Sequence, residues 1–146
     1  REAFRIARSG RRGPVLVDIP KDVQTAKCEF ERKAPLTLLE TNKADDTDID
    51  RAVELINKSQ RPYIYIGGGA VGAELGGEIA LLAEKIDAVI GCSLMGLTGI
   101  PSNSPRFLGL QGMHGHYASS AAQNSADLIF GVGVRFSDRA TGDKKK

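Results

Sequence analysis

Tyr63-Ile64-Tyr65-Ile66-Gly67-Gly68-Gly69-Ala70-Val71-Gly72 joins a β-branched and aromatic run directly to a glycine triplet. The first four residues have strand character, and the glycines turn the chain out of that strand. The next segment is helical, because Leu75, Ile79, Leu82, Ala83 and Ile86 recur on one face. Ala88-Val89-Ile90-Gly91-Cys92 reads as the next strand, Pro101 and Pro105 break a loop, the stretch around Ala118 to Ala122 is helical, and Leu128-Ile129-Phe130-Gly131-Val132 is a last strand before Gly133. Strands alternate with helices, the order of an α/β fold whose parallel sheet is built from right-handed crossovers with helices flanking it. Strands covered on both faces read as solid apolar runs, as these do. The alternation stops at a strand and lysines, so the expected fold is a truncated one.

Upstream of the decisive stretch, Thr47 is expected to cap a helix, with Asp50 completing a capping box and Ile49, Ala52, Val53 and Ile56 buried. From Lys21 to Asp46 the chain is polar and irregular, with Pro35 and Thr41-Asn42-Lys43, although Leu36, Leu38 and Leu39 could pin it to a surface; it reads as an interdomain linker. Before it, Ala3, Phe4 and Ala7 have helical spacing, and Val15-Leu16-Val17-Asp18-Ile19 is expected to be a buried strand closed by Pro20.

The bulk numbers bound the function. At 146 residues there is room for about one core and an appendage. Twenty Lys and Arg against 18 Asp and Glu leave only +2, scattered rather than striped, which argues against nucleic acid as a partner. The Lys144-Lys145-Lys146 cluster reads as a solvated end. No apolar run approaches the roughly 20 residues that a bilayer demands, so no membrane is implied. The first residue is Arg1, and no basic-then-apolar leader follows it. Cys28 and Cys92 are far apart with no CxxC or neighbouring His, which indicates neither zinc nor a disulfide framework and fits a reducing cytosol or organelle stroma.

In an open α/β sheet ligands bind beyond the carboxyl ends of the strands. Gly67-Gly68-Gly69-Ala70-Val71-Gly72 spells G-x-G-x-x-G, a setting in which backbone N–H groups approach phosphate; a tight structural turn uses the same glycines. A nicotinamide site also needs an acidic residue after the next strand, where Cys92-Ser93 stands instead. Ser93-Leu94-Met95-Gly96 offers a hydroxyl and soft apolar contacts suited to a flat ring or a ribose, and Met95 excludes the nucleophile elbow G-x-S-x-G. Gly133-Val134-Arg135-Phe136-Ser137-Asp138-Arg139 brings two guanidinium groups that match diphosphate oxygens, or surface salt bridges. In Gly112-Met113-His114-Gly115-His116, His114 could donate to a ligand or serve only its own loop.

Gly10-Arg11-Arg12-Gly13-Pro14-Val15-Leu16-Val17-Asp18-Ile19-Pro20-Lys21-Asp22-Val23 resembles the end of the pyrimidine-binding domain of the acetolactate (acetohydroxyacid) synthase family. The Gly67 triplet, Leu94-Met95-Gly96-Leu97, Gly112-Met113-His114-Gly115 and Arg135-Phe136-Ser137-Asp138-Arg139-Ala140-Thr141-Gly142 follow in the order of its middle domain. The resemblance implies part of a large catalytic subunit. Residues 1–20 would end the thiamine-pyrimidine domain, 21–46 would be a linker, and 47–146 would be an incomplete, Rossmann-like FAD-binding middle domain. It implies an enzyme using thiamine diphosphate and Mg2+ to decarboxylate pyruvate and join the two-carbon unit to a second 2-keto acid in branched-chain amino-acid synthesis. The FAD would do no net redox chemistry. Homodimers or homotetramers, a small regulatory subunit, and a bacterial cytoplasm or an organelle stroma or matrix are implied with it.

Carried over by position, the flavin contacts would be Arg11, Gly67, Gly68, Gly69, Ser93, Leu94, Met95, Gly112, Met113, His114, Gly133, Val134, Arg135 and Arg139. Lys21 and Asp138 would lie near the substrate channel where the family's herbicides bind. Arg12, Gln111 and Ser137 depart from the family, which usually has Pro, an apolar residue and Asp there. The family's catalytic Glu and its metal-binding GDG…N motif have no counterpart in this sequence, so no catalytic or metal residues are assigned. A related thiamine-dependent carboligase or oxidase, or a non-catalytic nucleotide-binding module, would share much of this pattern.

Overall fold

The computed structural model describes residues 1–32, 34 and 43–141; Leu36, Leu38 and Leu39 of the expected linker and the terminal lysines lie outside these. The chain forms two compact units, Arg1–Ala44 and Asp45–Lys146.

In the first unit, α1 (Glu2–Arg8) carries a one-turn ion pair between Glu2 and Arg5 and buries no residue. Val15 to Ile19 is not a strand, contrary to the sequence reading. A β-run needs a neighbour for its backbone groups, and no strand is present in this unit among the described residues. Leu16 is accordingly 90% exposed. A short helix, α2 (Lys21–Thr25), then interrupts the expected linker, starting after Pro20.

The second unit opens with α3 (Asp46–Lys58), capped earlier than expected. The carboxylate of Asp45, not the hydroxyl of Thr47, accepts the first free N–H, that of Thr47 at 3.2 Å. A charged acceptor at the positive end of the helix outcompetes a neutral one. The apolar stripe of α3 is not buried as read: Ala52 and Ile56 are half-buried, and Ile49 and Val53 are each 48% exposed.

The sheet is built from β1 (Pro62–Ile66), β2 (Val89–Cys92), β3 (Phe107–Leu110) and β4 (Leu128–Val132), all parallel in the order β3-β2-β1-β4. This is the doubly wound arrangement that the alternation predicted. Every residue of β1 is buried, as befits a central strand, and Pro62 opens it where a missing N–H costs least. β4 departs from the expectation of two covered faces, since it is a sheet edge whose Ile129 and Gly131 are exposed. β3, expected as loop, is an edge strand of four half-buried residues, with Gly109 at φ +78° and a shift in its pairing to β2 between Ile90 and Gly91.

The single helix expected after the glycine turn is two helices, α4 (Gly68–Gly72) and α5 (Gly76–Lys85), separated where Glu74 takes φ +56°. Ile79 and Ala83 of α5 pack with Ile64, Ile66, Ala70, Ala88, Ile90, Cys92 and Ile100 in one aliphatic core on one face of the sheet. α6 (Tyr117–Ser125) and a last turn, α7 (Asp138–Thr141), complete the unit. At the amino ends of the strands the Asp127 carboxylate accepts from Ser59 Oγ and from the Gln60 and Arg61 N–H groups at 2.8 and 2.9 Å. These bonds hold its carboxyl down at about 2 and tie the entry of β1 to that of β4.

Candidate functional site

The strand order reverses direction between β1 and β4, so the crevice expected of such a sheet opens beyond Ile66 and Val132. Here the strand ends meet closely. Gly67 N–H donates to Val132 O and Gly69 N–H to Gly133 O, both at 3.0 Å. A side chain on Gly69 would stand 2.7 Å from Gly133 Cα, and one on Gly67 2.9 Å from Val134 Cα. The triplet therefore lets two backbones touch, and two of its three N–H groups are engaged within the protein. A phosphate cradle made of all three is not available.

The end of β2 is tied to the same place, with Ser93 N–H donating to Ile66 O at 2.9 Å. A 3-10 turn, Leu94–Gly96, then sets Met95 against Gly68, whose missing Cβ would lie 3.1 Å from Met95 Cβ. After β3, Gly112 turns at φ +92°, and Met113 N–H donates to Arg139 O at 3.0 Å. Asp138 opens α7 by accepting from Arg139 N–H at 2.9 Å. All four strand ends thus converge on one edge, bringing together Gly67, Gly68, Gly69, Ser93, Leu94, Met95, Gly112, Met113, Gly133, Val134 and Arg139, with His114, Arg135 and Asp138 on the same loops and exposed. Arg11 and Lys21 belong to the first unit, where both are exposed.

Leu94, Met95 and Met113 are each about 70% exposed, a costly arrangement for large apolar side chains in water. Neither Arg135 nor Arg139 makes an ion pair within the described residues. This edge offers soft apolar surface beside guanidinium groups that pair with no described carboxylate, which fits a ligand joining a flat ring to an anionic group such as a diphosphate. FAD has that chemistry. The arginines would meet its diphosphate and Leu94, Met95 and Met113 its rings, while Gly67, Gly69 and Gly133 would contribute by close backbone approach rather than as donors. No group of three His, Cys, Asp or Glu side chains that could hold a metal occurs among the described residues.

Several neighbours of the site are not singled out by the sequence. A depression of about 350 Å³ lies between Gly112, Met113, Asp138 and Arg139 on one side and Ser120, Gln123 and Asn124 of α6 on the other. The i, i+3, i+4 spacing of those α6 residues was the available signal. Another depression, of about 230 Å³, sits at the amino ends of β1 and β2, but its charges are occupied: Arg61 Nε donates to Ser125 O and Asp87 pairs with Arg106. Beneath the site, the second face of β1 carries Tyr63 and Tyr65. The Tyr63 hydroxyl donates to Gln111 Oε1 at 2.6 Å and lies 2.9 Å from Ser119 Oγ. Gly91 leaves the space that the Tyr63 ring occupies. Burial pushes Tyr63 up to about 12 and raises Tyr65 as well, so both hydroxyls stay protonated. Phe136 leans on Tyr65 with ring centroids 6.0 Å apart and fills the notch at Gly131, which anchors the segment bearing Arg135.

The fold defines an α/β domain with a doubly wound parallel sheet whose loops meet at its carboxyl edge. The central domain of thiamine pyrophosphate enzymes matches residues 49–146, and the chain belongs to that family. Its relatives include the acetolactate synthase large subunit of Buchnera aphidicola subsp. Schlechtendalia chinensis, 37% identical over all of this chain and 26% of that protein. The acetolactate synthase isozyme 1 large subunit of Escherichia coli (strain K12) is 42% identical over 97% of the chain and 25% of its own length. The large subunit of Haemophilus influenzae is 36% identical over the whole chain. The chain spans about a quarter of the length of these relatives.

Proposed function

We propose that this chain is the flavin-holding part of an acetolactate synthase large subunit. The observation that carries the reading is the convergence of exposed Leu94, Met95 and Met113 with Arg135 and Arg139, which make no ion pair among the described residues, at the carboxyl edge of a family sheet. Identity of 36–42% to acetolactate synthase large subunits along almost the whole chain supports the particular enzyme. On this reading residues 47–146 belong to the FAD-binding middle domain, 21–46 to a linker and 1–20 to the thiamine-pyrimidine domain. FAD would be a structural cofactor, held by the residues of the carboxyl edge together with Arg11. Lys21 and Asp138 would face the substrate channel.

Thiamine diphosphate and Mg2+ would be bound by other parts of the longer protein, which would condense pyruvate with a second 2-keto acid in valine, leucine and isoleucine synthesis. A multimer of such subunits with a small regulatory partner, in the cytoplasm or an organelle, completes the proposal. The test compares Arg135→Ala with Lys21→Ala in the full-length protein. Loss of a charge-assisted hydrogen bond costs about 1.5–3 kcal/mol, so Arg135→Ala should weaken FAD binding roughly 10- to 150-fold, and Lys21→Ala should not. Equal flavin content in the two purified variants would refute the assignment.

A further inference from the structure

Beneath the Gly112–Gly115 loop, buried polar groups take the place of hydrocarbon. Gln111 is 5% exposed, Ser119, Tyr63 and Tyr65 no more than 1%. Three contacts connect them: Tyr63 hydroxyl to Gln111 Oε1 at 2.6 Å, Tyr63 hydroxyl to Ser119 Oγ at 2.9 Å, and Ser119 Oγ to Gly109 O at 3.3 Å. Tyr63 and Ser119 have two hydroxyl protons between them, so with Gln111 acting only as an acceptor one of the three contacts goes unbonded. The Tyr65 hydroxyl, meanwhile, is buried and has no hydrogen-bond partner among the described residues. Gln111 stands near enough to Tyr65 to oppose the rise that burial causes in it, yet not in bonding geometry.

A half-turn of the Gln111 amide exchanges its oxygen and nitrogen without changing its shape. Nε2–H then donates to the Tyr63 oxygen, Tyr63 to Ser119 Oγ, and Ser119 to Gly109 O. The amide oxygen becomes free to accept from Tyr65. Each hydroxyl proton now has one acceptor, and the chain runs in one direction from Tyr65 to the Gly109 carbonyl.

Gln111 is also where the loop is fastened. Its N–H donates to Cys92 O at 3.0 Å, and Gly115 packs so tightly on it that an added Cβ would lie 2.5 Å from Gln111 Cα. Two residues on, Met113 N–H holds Arg139 O. We propose that Gln111 is a positioning residue of the carboxyl-edge site, its amide linking Tyr65 and Tyr63 of β1 to Ser119 of α6 and so fixing the loop that presents Met113, His114 and Arg139. The ligand it serves is the flavin of the proposed function, on which this inference rests.

The experiment uses the full-length protein. Free of ligand, Tyr65→Phe lowers the melting temperature, because a made hydrogen bond is lost; an unchanged or higher melting temperature, the result of deleting an unpartnered buried hydroxyl, overturns the chain. Gln111→Leu speeds amide hydrogen exchange about 10-fold in peptides covering residues 110–116 while β1 and β2 peptides keep their wild-type rates. Unchanged exchange in the loop, or acceleration across the whole sheet, overturns the positioning role. The same variant weakens FAD binding by about 10-fold in a flavin fluorescence titration, and undiminished affinity contradicts that role. Wild-type protein that takes up no FAD refutes the flavin reading instead, and the melting and exchange results still judge the network.

Discussion

Replacing Gly133 by alanine tests whether the meeting of β1 and β4 is as close as it must be for the site to exist. Gly133 has φ +59°, a conformation that costs an L-residue about 1–2 kcal/mol. Its new Cβ would also collide with Ala70 N and stand 2.5 Å from Gly69 C and 2.6 Å from Gly69 Cα. All of these are backbone atoms, so no side chain can rotate away. Relief requires the end of β4 to withdraw from the glycine turn, which strains the Gly67–Val132 and Gly69–Gly133 hydrogen bonds, each worth about 1 kcal/mol net. Together these give about 3–4 kcal/mol, which at an m-value of about 2 kcal/mol/M lowers the urea midpoint by roughly 1.5–2 M. The control is Gly77→Ala in α5, where nothing lies within 4 Å of the added carbon and a gain of about 0.5–1 kcal/mol is expected. Urea denaturation of both variants, followed by circular dichroism, reads the difference. If Gly133→Ala unfolds at the same urea concentration as Gly77→Ala, the account of the crossing is wrong.

Two further outcomes follow from the ionisable groups. Asp127 has its carboxyl lowered to about 2, chiefly by Ser59 and then by the Gln60 and Arg61 N–H groups, so it stabilises the fold above the unfolded value near 4 and ceases to as pH falls through about 2. Asp127→Asn should therefore be less stable than wild type at neutral pH, the gap closing between about pH 4 and 2; a gap independent of pH would contradict the clamp. Burial pushes the Cys92 thiol up to about 11, whereas Cys28 is exposed, so a thiol reagent should label only Cys28 in the native protein and Cys92 on unfolding. Rapid native labelling of both would show that the core at the end of β2 is open.

The order of strands and helices was legible because β1, β2 and β4 are apolar runs, β1 and β4 closed by glycine, a local signal that tertiary contacts reinforce. β3 was not, since Phe107 to Leu110 follows closely on Pro101 and Pro105 and contains a glycine; it becomes a strand only because β2 offers it an edge. Val15 to Ile19 shows the converse, a run with strand propensity and no edge to join. The stripe of α3 was visible, but periodicity says which residues share a face and not what covers them. At the site, the strand-end rule located three of the four loops that converge, and the Gly112 loop was singled out only for its own residues because the strand before it was not foreseen. It could not reveal that Gly67 and Gly69 spend their N–H groups on β4, because that depends on an approach between residues more than 60 positions apart. Gln111 was noticed only as a departure; its partner Tyr63 is distant in sequence. Nothing in the structure explains Arg12.

The contrast between the two faces of β1 has a consequence for how the strand finds its neighbours. Ile64 and Ile66 lie against hydrocarbon, while Tyr63 and Tyr65 face an amide and a hydroxyl. In an all-aliphatic strand covered on both sides, sliding by one residue swaps one greasy surface for another and is weakly penalised. Here the same slip would drive both phenol oxygens into the aliphatic layer and leave Gln111 and Ser119 facing isoleucine, with each stranded polar group costing about 1–3 kcal/mol. The tyrosines thus proofread the alignment of the central strand. A chain assembling this sheet in its buried middle has one threading that satisfies both sides, and the glycine turn arrives at the crevice only in that threading.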